Sequence, residues 1–470
     1  MQGAELLPTD HPLVQWTQDG QPHLARWLSP AGAAAPRRVV AADDTLKADA
    51  ALRLISEGTA VLWLGDFHNA RQLLQALARR VDEKAARAAA PARKAAAAAK
   101  GQAKPDRAVA AGVGTEPLPP PATPGAPAPA GAAVPAHSAA AADPALAFHR
   151  HRQAQAHRAR ILGGVLLPLT ADGRIPLRRA PDARAALAEA LGPAQTEALP
   201  LLGYTAWADD ATAPGDATDA PIAALLSLRE LQGLIGAHEW RKKGVPVAAL
   251  GAAIHPHHGV FSPVRGEYID LVARAPLPAA LAQGGVAFDI GTGTGVLAAV
   301  LARRGAPQVV ATDQDPRALA CAADNLARLG LGKRVTLLQA DLFPAAPALA
   351  AEAARAALIV CNPPWVPAKP ASPIEAAVYD PDSRMLRGFL AGAAAHLAEG
   401  GEAWLILSDL AEHLGLRSRE QLLGWIAAGG LQVLGRLDAR PRHPKAADRS
   451  DPLHAARAAE VTSLWRLGRA

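Results

Sequence analysis

The four residues from Asn362 to Trp365 have the types and order needed to hold a flat NH2 group. Proline lacks a backbone N–H and has a fixed φ, so Pro363 and Pro364 keep the chain rigid and leave a carbonyl free to accept. The Asn362 side chain and the Pro363 carbonyl supply two acceptors, and Trp365 supplies a flat face. Because a planar NH2 group has two hydrogens and one plane, the segment predicts a site for an amino or amide nitrogen.

A glycine-rich turn follows the short apolar stretch 286–290. An acid and three glycines occupy every second position, at Asp289, Gly291, Gly293 and Gly295, and Thr292 lies between two of the glycines. Glycines allow a tight turn and let a ligand approach the backbone closely. The spacing differs from the G-x-G-x-x-G pattern of dinucleotide sites, and a carboxylate at Asp289 would repel a pyrophosphate. We therefore expect a cationic ligand that carries an ammonium and a sulfonium.

Two more carboxylates follow apolar stretches further along the chain. Asp313 stands 22 residues after Gly291, at the end of the next strand, where an acid commonly binds ribose hydroxyls. Asp341 follows the third strand, where it could accept a hydrogen bond from an adenine amino group while Leu342 or Phe343 packs against the ring. These positions predict a nucleoside-containing ligand.

Each of these motifs directly follows an apolar strand, so the strands must position them. The strands are expected at 286–290, 308–312, 334–339 and 357–361. Helical patterns separate the strands, and such alternation is typical of a doubly wound parallel sheet. Ligands bind at the carboxyl ends of the strands in such sheets. We therefore predict an α/β fold whose motifs meet in one cleft.

The motifs together resemble those of class I S-adenosylmethionine-dependent methyltransferases that contain an Asn-Pro-Pro-aromatic sequence. The most similar group includes release-factor glutamine and ribosomal-RNA guanine N-methyltransferases, and the resemblance covers roughly residues 236–470. It implies a Rossmann-like, mostly parallel sheet of seven strands with one antiparallel strand. The last three strands are then expected at 402–408, 431–437 and 461–467.

The resemblance also implies roles for individual residues and S-adenosyl-L-methionine as the cofactor. The expected cofactor-binding residues are Asp289, Gly291, Thr292, Gly293, Gly295, Asp313, Asp341 and Leu342. The expected catalytic residues are Asn362, Pro363, Pro364 and Trp365. The segment 257–268 resembles the stretch before the glycine turn in this group, which implies that Phe261, Arg265 and Tyr268 lie near the cofactor or the target, or else form a structural lid.

Two features depart from the group. The aromatic residue is Trp365, where Tyr or Phe is more usual, so the target plane could stack differently. The segment 379–386 lacks the Gly-rich acidic stretch of typical release-factor enzymes, which argues against a release-factor substrate.

Three functions remain open under this resemblance. The first interpretation is N-methylation of an exocyclic base amine in RNA or DNA, with nucleic acid bound by the first domain. A protein glutamine side chain offers the same planar NH2 group and is the alternative. An inactive cofactor-binding module is the third, although the intact Asp313 and Asn362 argue against it.

The length of 470 residues predicts two domains. Residues 83–147 are mostly Ala, Pro, Lys and Gly, and we expect a disordered or loosely helical insertion. We predict a substrate-recognition domain of α/β or α+β type at 1–82 plus 148–235, and a methyltransferase domain at 236–470. Within the first domain we expect strands at 58–65 and 161–169 and helices at 66–80, 183–191 and 222–235.

Composition excludes several other classes. The net charge of +6 is only a weak hint of nucleic acid, and the basic runs 149–160 and 436–445 fit a solvated face somewhat better than a phosphate grip. Two cysteines without zinc spacing suit a reducing compartment, and the histidines at 255, 257 and 258 lack the partners of a metal site. No signal peptide or membrane span is evident, so we expect a cytoplasmic protein without metal or membrane.

Overall fold

The computed structural model of the chain describes residues 11–102, 143–192, 221–345, 355–370, 373–442, 448–449 and 451–470. These residues form two large sheets, with the short hairpin β7 (Val245–Val247) and β8 (Ala252–Ile254) between them in the sequence. Among the helices of these residues, none has the length and apolar character that crossing a membrane requires.

The first sheet has six strands and mixed strand directions. In chain order they are β1 (Leu13–Gln18), β2 (Gln21–Leu28), β3 (Val39–Ala42), β4 (Ala60–Trp63), β5 (Val165–Leu169) and β6 (Ala224–Ser227). Their order across the sheet is β1-β2-β6-β5-β4-β3, with antiparallel pairs β1–β2 and β5–β6 and parallel pairs elsewhere. The central strands β4, β5 and β6 are entirely buried, which explains their continuous apolar sequences.

In the described residues of this part of the chain, five helices accompany the sheet. They are α1 (Ala48–Ser56), α2 (Phe67–Gln102), α3 (Pro144–Gly163), α4 (Arg184–Leu191) and α5 (Leu228–Lys243). The expected strand 161–169 is wrong in its first residues, because residues 161–163 are the last of α3 and β5 begins at Val165. The expected helix 222–235 is wrong in its first half, because residues 224–227 form β6. In a short run of apolar residues, the hydrophobic pattern is the same for a buried strand and for a buried helix turn, so it does not distinguish the two.

The Ala-rich stretch begins within a helix, since the backbone of α2 continues to Gln102. The next 40 residues, 103–142, lie outside the described part of the chain. The disorder predicted for them therefore stays a prediction. The domain limits at residues 82, 147 and 235 remain our proposal.

The second sheet has seven strands and confirms the predicted fold class. The strands are β9 (Ala287–Ile290), β10 (Val309–Asp313), β11 (Val335–Gln339), β12 (Ala356–Cys361), β13 (Leu397–Ser408), β14 (Leu431–Ala439) and β15 (Thr462–Arg469). Their order is β11-β10-β9-β12-β13-β15-β14, and only β15 runs against the others. The carboxyl ends of β9, β10, β11 and β12 therefore lie at one edge, as the motif spacing predicted.

Helices cover both faces of this sheet. They are α6 (Glu267–Arg274), α7 (Ala279–Ala282), α8 (Val296–Arg303), α9 (Pro316–Arg328), α10 (Arg384–His396), α11 (Leu410–His413), α12 (Arg419–Ala428) and α13 (His454–Ala459). Successive strand residues alternate between two cores: Val360 and Trp404 face the α6 and α8 side, whereas Ile359 and Leu405 face α10 and α12. Burial on both faces makes the strand tips a rigid base for a site.

Candidate active site

A cavity of about 500 Å³ lies at the carboxyl ends of β9, β10, β11 and β12. It brings together residues that are separated by more than 100 positions in the sequence. Those of the predicted site residues that line it are Phe261, Arg265, Tyr268, Gly291, Thr292, Gly293, Asp313, Asp341, Leu342, Asn362, Pro363, Pro364 and Trp365. The two predicted residues that do not line it are Asp289 and Gly295.

Asp289 and Gly295 lie behind the glycine turn. The Asp289 side chain accepts hydrogen bonds from the Thr292 hydroxyl at 2.6 Å and from the Ala298 amide at 3.0 Å. The carboxylate is 1% exposed, and this burial raises its pKa to about 6. At Gly295, with φ of +78°, an added Cβ would stand 3.1 Å from the Ala322 Cβ on α9. Both residues therefore stabilise the turn from its protein side, and the Asp289 carboxylate does not face the cavity.

Asp313 holds the turn from the cavity side. One of its oxygens accepts from the Gly293 amide at 3.0 Å, and the other accepts from the Asp315 amide at 3.0 Å. Burial raises the pKa of Asp313, although these amide hydrogen bonds oppose the shift. An added Cβ on Gly291, with φ of +73°, would stand 2.6 Å from the Met385 Cε. The two glycines and the carboxylate thus form a cradle in which a ligand meets backbone.

The third strand contributes Asp341 and Leu342 at the cavity edge. The exposed Asp341 carboxylate forms an ion pair with Arg384, the first residue of α10. Leu342 lines the cavity with an unusual φ of +79°. Phe343, the other residue considered for packing against a ring, does not line the cavity but stacks on His396 at a centroid distance of 4.2 Å.

The segment from Asn362 to Trp365 follows the buried strand β12 and lines the same cavity. The Trp365 Nε1–H donates to the Asn362 Oδ1 at 2.9 Å. A side-chain amide oxygen has two lone pairs, so Oδ1 keeps one acceptor position. Arg417, which is only 4% exposed, lies behind this loop with a guanidinium nitrogen 3.5 Å from the Trp365 carbonyl oxygen. The loop is therefore held by its own tryptophan and by a buried arginine.

The segment before the glycine turn covers one side of the cavity. Phe261, Arg265 and Tyr268 all line it, and Arg265 forms an ion pair with Glu460 at 3.5 Å. Tyr268 is buried, and burial raises the pKa of its phenol. Both alternatives for this segment, a lid and a ligand contact, are compatible with this position.

Several lining residues gave no signal in the sequence. They include Phe148, Tyr379, Met385, Leu410, Leu414, Leu453 and Arg457. Phe148 belongs to α3, more than 200 residues before Trp365. Asp380 could have been noticed as an acid before a helix, since its carboxylate accepts from the Met385 and Leu386 amides at 3.0 and 3.2 Å. It fixes the start of α10 beside the cavity.

Comparison with known proteins agrees with this geometry. Residues 251–419 match the family model described as "Methyltransferase small domain". Residues 251–419 carry a methyltransferase small domain. This match confirms the predicted methyltransferase family, whose members use S-adenosylmethionine as methyl donor. The methyltransferase small domain spans β8 to the start of α12 and so includes the glycine turn, Asp313 and the Asn362 loop.

Curated relatives share parts of this domain. The chain is 35% identical over 170 residues to a release factor glutamine methyltransferase of Cereibacter sphaeroides, covering 33% of this chain and 56% of the relative. It is 48% identical over 82 residues to a ribosomal protein uL3 glutamine methyltransferase of Bordetella pertussis, covering 17% and 26%. The matched part of the chain thus spans about half the length of the first relative and about a quarter of the second.

Among solved structures, a SAM-dependent methyltransferase of Thiobacillus denitrificans in complex with S-adenosyl-L-homocysteine aligns with 45% of this chain and 95% of its own. The identity is 15% and the TM-score 0.31.

In the described part of the chain, no group of three or more His, Cys, Asp or Glu side chains could hold a metal ion.

Proposed function

We propose that this protein transfers a methyl group from S-adenosylmethionine to the side-chain amide nitrogen of a glutamine in a protein. The observation that carries the proposal is the single cavity that joins the glycine cradle to the loop from Asn362 to Trp365. One half suits an adenosyl donor and the other suits a planar NH2 acceptor. Two relatives are named glutamine methyltransferases, and their likeness to this chain supports the same target class.

The donor half fits S-adenosylmethionine by its chemistry. Gly291 and Gly293 expose backbone where a side chain would fill the cradle or strain the turn, and Asp313 at the end of β10 supplies a carboxylate for ribose hydroxyls. Asp341 and Leu342 line the same cavity, which supports their proposed roles as acceptor and apolar contact for the adenine. When bound, the cofactor supplies a methyl group on a positively charged sulfur.

The acceptor half holds an amide nitrogen and aims it. An amide nitrogen is a poor nucleophile because its lone pair is delocalised. Hydrogen bonds from its two N–H groups to the Asn362 Oδ1 and the Pro363 carbonyl favour a more tetrahedral nitrogen, whose lone pair then points across the cavity. Fixed positioning of this kind can contribute on the order of 7–11 kcal/mol to lowering a barrier, and preorganised acceptors add to it.

The charges around the cavity favour a protein over a nucleic acid. Each arginine that lines the cavity in the described part of the chain has a carboxylate partner. The pairs are Arg265 with Glu460, Arg384 with Asp341, and Arg457 with Asp451. A nucleic acid target brings phosphates, whose binding depends on available cations. A neutral glutamine side chain makes no such demand.

The basic runs noted in the sequence are also partly neutralised. In the first run, Arg152 forms an ion pair with Glu375 at 3.0 Å and Arg158 forms one with Asp82 at 2.8 Å. In the second run, Arg436 pairs with Asp438, and Lys445 lies outside the described residues. The interpretation as a base-amine methyltransferase therefore stays a prediction with less support than the glutamine alternative.

Radioactive labelling tests the target class. Purified protein and tritiated S-adenosylmethionine are added to lysate from a strain that lacks the gene, and the product is treated with nuclease or with protease. We expect protease alone to release the label into small fragments. Release by nuclease alone would replace glutamine by a base amine as the target.

A further inference from the structure

Helix α3 belongs to the first domain but reaches the cavity of the second. Its last turn is buried in the first core through Ile161 and Leu162. It starts after its N-cap residue Asp143, whose carboxylate accepts from the Ala145 amide at 2.9 Å. Its N-terminal part places Phe148 in a core of the second domain. One continuous helix therefore connects the first sheet to the acceptor half of the site.

Phe148 is part of the cavity wall. Its side chain is 3% exposed and packs with three leucines of the second domain, namely Leu410, Leu414 and Leu453. All four side chains line the same cavity as Trp365, and Trp365 packs against their cluster. We call the part of the cavity lined by Phe148, Leu410, Leu414 and Leu453 the apolar annex.

Arg152, one turn further along α3, fixes this helix to the loop that follows the catalytic segment. Its guanidinium pairs with Glu375 at 3.0 Å, donates to the Lys369 carbonyl at 2.7 Å and lies 4.0 Å from the centroid of the Tyr379 ring. Tyr379 is itself 6.4 Å from the Phe148 ring and lines the cavity. These contacts hold the wall of the apolar annex in a fixed position.

We propose that the apolar annex receives an apolar side chain next to the methylated glutamine, with Phe148 as a specificity-determining residue. This inference rests on the proposed function, because it takes the acceptor to be a peptide. The annex is continuous with the cavity at Trp365, so a residue adjoining the target is within its reach. Its side chains are apolar, so a polar neighbour would lose its hydration there without gaining a partner.

Peptide pairs test the proposal on the full-length protein. Glutamine peptides that carry leucine or serine on either side of the target are compared for kcat, KM and cofactor Kd. We expect the wild type to prefer a leucine neighbour by at least about tenfold in kcat/KM, mainly through KM, in the range that apolar pockets achieve. Phe148→Ala should remove most of this preference and leave the cofactor Kd unchanged, and Phe148→Leu should keep part of it.

The matched control is Leu146→Ala, since Leu146 lies on the same helix turn but is 45% exposed and does not line the cavity. It should keep the full preference. A preference that survives Phe148→Ala would overturn the proposal.

A photoreactive leucine beside the glutamine gives a readout that does not require turnover. We expect cross-links to Phe148, Leu410, Leu414 or Leu453 after digestion and mass spectrometry. Cross-links confined to other surfaces would overturn the annex. If cross-links map to the annex but no glutamine becomes methylated, the proposed function fails while the annex stands.

Discussion

The indole Nε1–H of Trp365 donates a 2.9 Å hydrogen bond to the Oδ1 of Asn362, the first residue of the same four-residue segment. Neither Phe nor Tyr has a donor at that place, so the residue that departs from the more usual pattern has a specific effect here. The hydrogen bond restricts the rotation of the Asn362 side chain beside the cavity. We therefore propose Trp365 as a positioning residue for Asn362.

Removing the indole donor should reduce turnover. In Trp365→Phe the aromatic face remains but the hydrogen bond to Asn362 is lost, and one such bond is worth about tenfold in rate. We expect kcat to fall by roughly that factor with an unchanged cofactor Kd, measured by methyl transfer and by calorimetry. An unaltered kcat would show that the hydrogen bond does not position Asn362.

Asp313 should control cofactor affinity. Asp313→Ala removes a carboxylate that holds the Gly293 and Asp315 amides, so the cofactor Kd should rise roughly 10- to 100-fold, as expected for hydrogen bonds to a charged group. Asp313→Asn keeps an acceptor and loses the charge, so its Kd should lie between the two. Calorimetry with S-adenosylhomocysteine measures both, and equal affinities for all three proteins would refute the assignment.

Gly291 should not tolerate a side chain. Gly291→Ala places a methyl group 2.6 Å from the Met385 Cε and adds the strain of a positive φ, about 1–2 kcal/mol. The Met385 Cε is the end of a flexible side chain and can move aside, so we expect weaker cofactor binding because the added methyl group occupies the cradle itself. Gly330→Ala is the control, since Gly330 has a similar φ of +70° with nothing within 4 Å of its added Cβ. It should lose stability alone, and comparable Kd changes in both variants would contradict the cradle.

Asp289 should make the unfolding free energy depend on pH. Burial raises its pKa from 3.8 to about 6, so the folded chain holds the proton more tightly than the unfolded chain does. The stabilising effect of that proton is complete below pH 3.8 and is lost as pH rises through 6. Between pH 5 and pH 8 the wild type should lose on the order of 1 kcal/mol relative to Asp289→Asn. Urea unfolding at both pH values tests this, and parallel pH profiles would contradict it.

Local sequence predicted the parts of the site that follow strands. The stretch 286–290 forms β9 almost as expected, and Asp313 ends β10, because a buried strand followed by glycines leaves few other structures. Asp289 was predicted to bind the cofactor, but it lies within β9 and does not line the cavity. Its carboxylate accepts instead from Thr292 and Ala298, two donors of the turn and helix that follow it.

The apolar annex could not be predicted from the sequence. Phe148 follows a long Ala- and Pro-rich stretch, and its partners Leu410 and Leu453 come more than 250 residues later. No local period or motif links such distant residues, and only the packing of α3 across both domains brings them together. The ion pair of Asp341 with Arg384 is equally non-local.

The most direct test of the central claim is the fate of the transferred methyl group. A protein substrate labelled by the wild type is hydrolysed in acid, which converts an N-methylated glutamine amide into glutamate and methylamine. The account predicts that the label appears as methylamine, and that Asn362→Ala binds the donor normally yet produces at least roughly a hundredfold less of it. Label that stays on an amino acid after hydrolysis, or undiminished methylamine from Asn362→Ala, would contradict it.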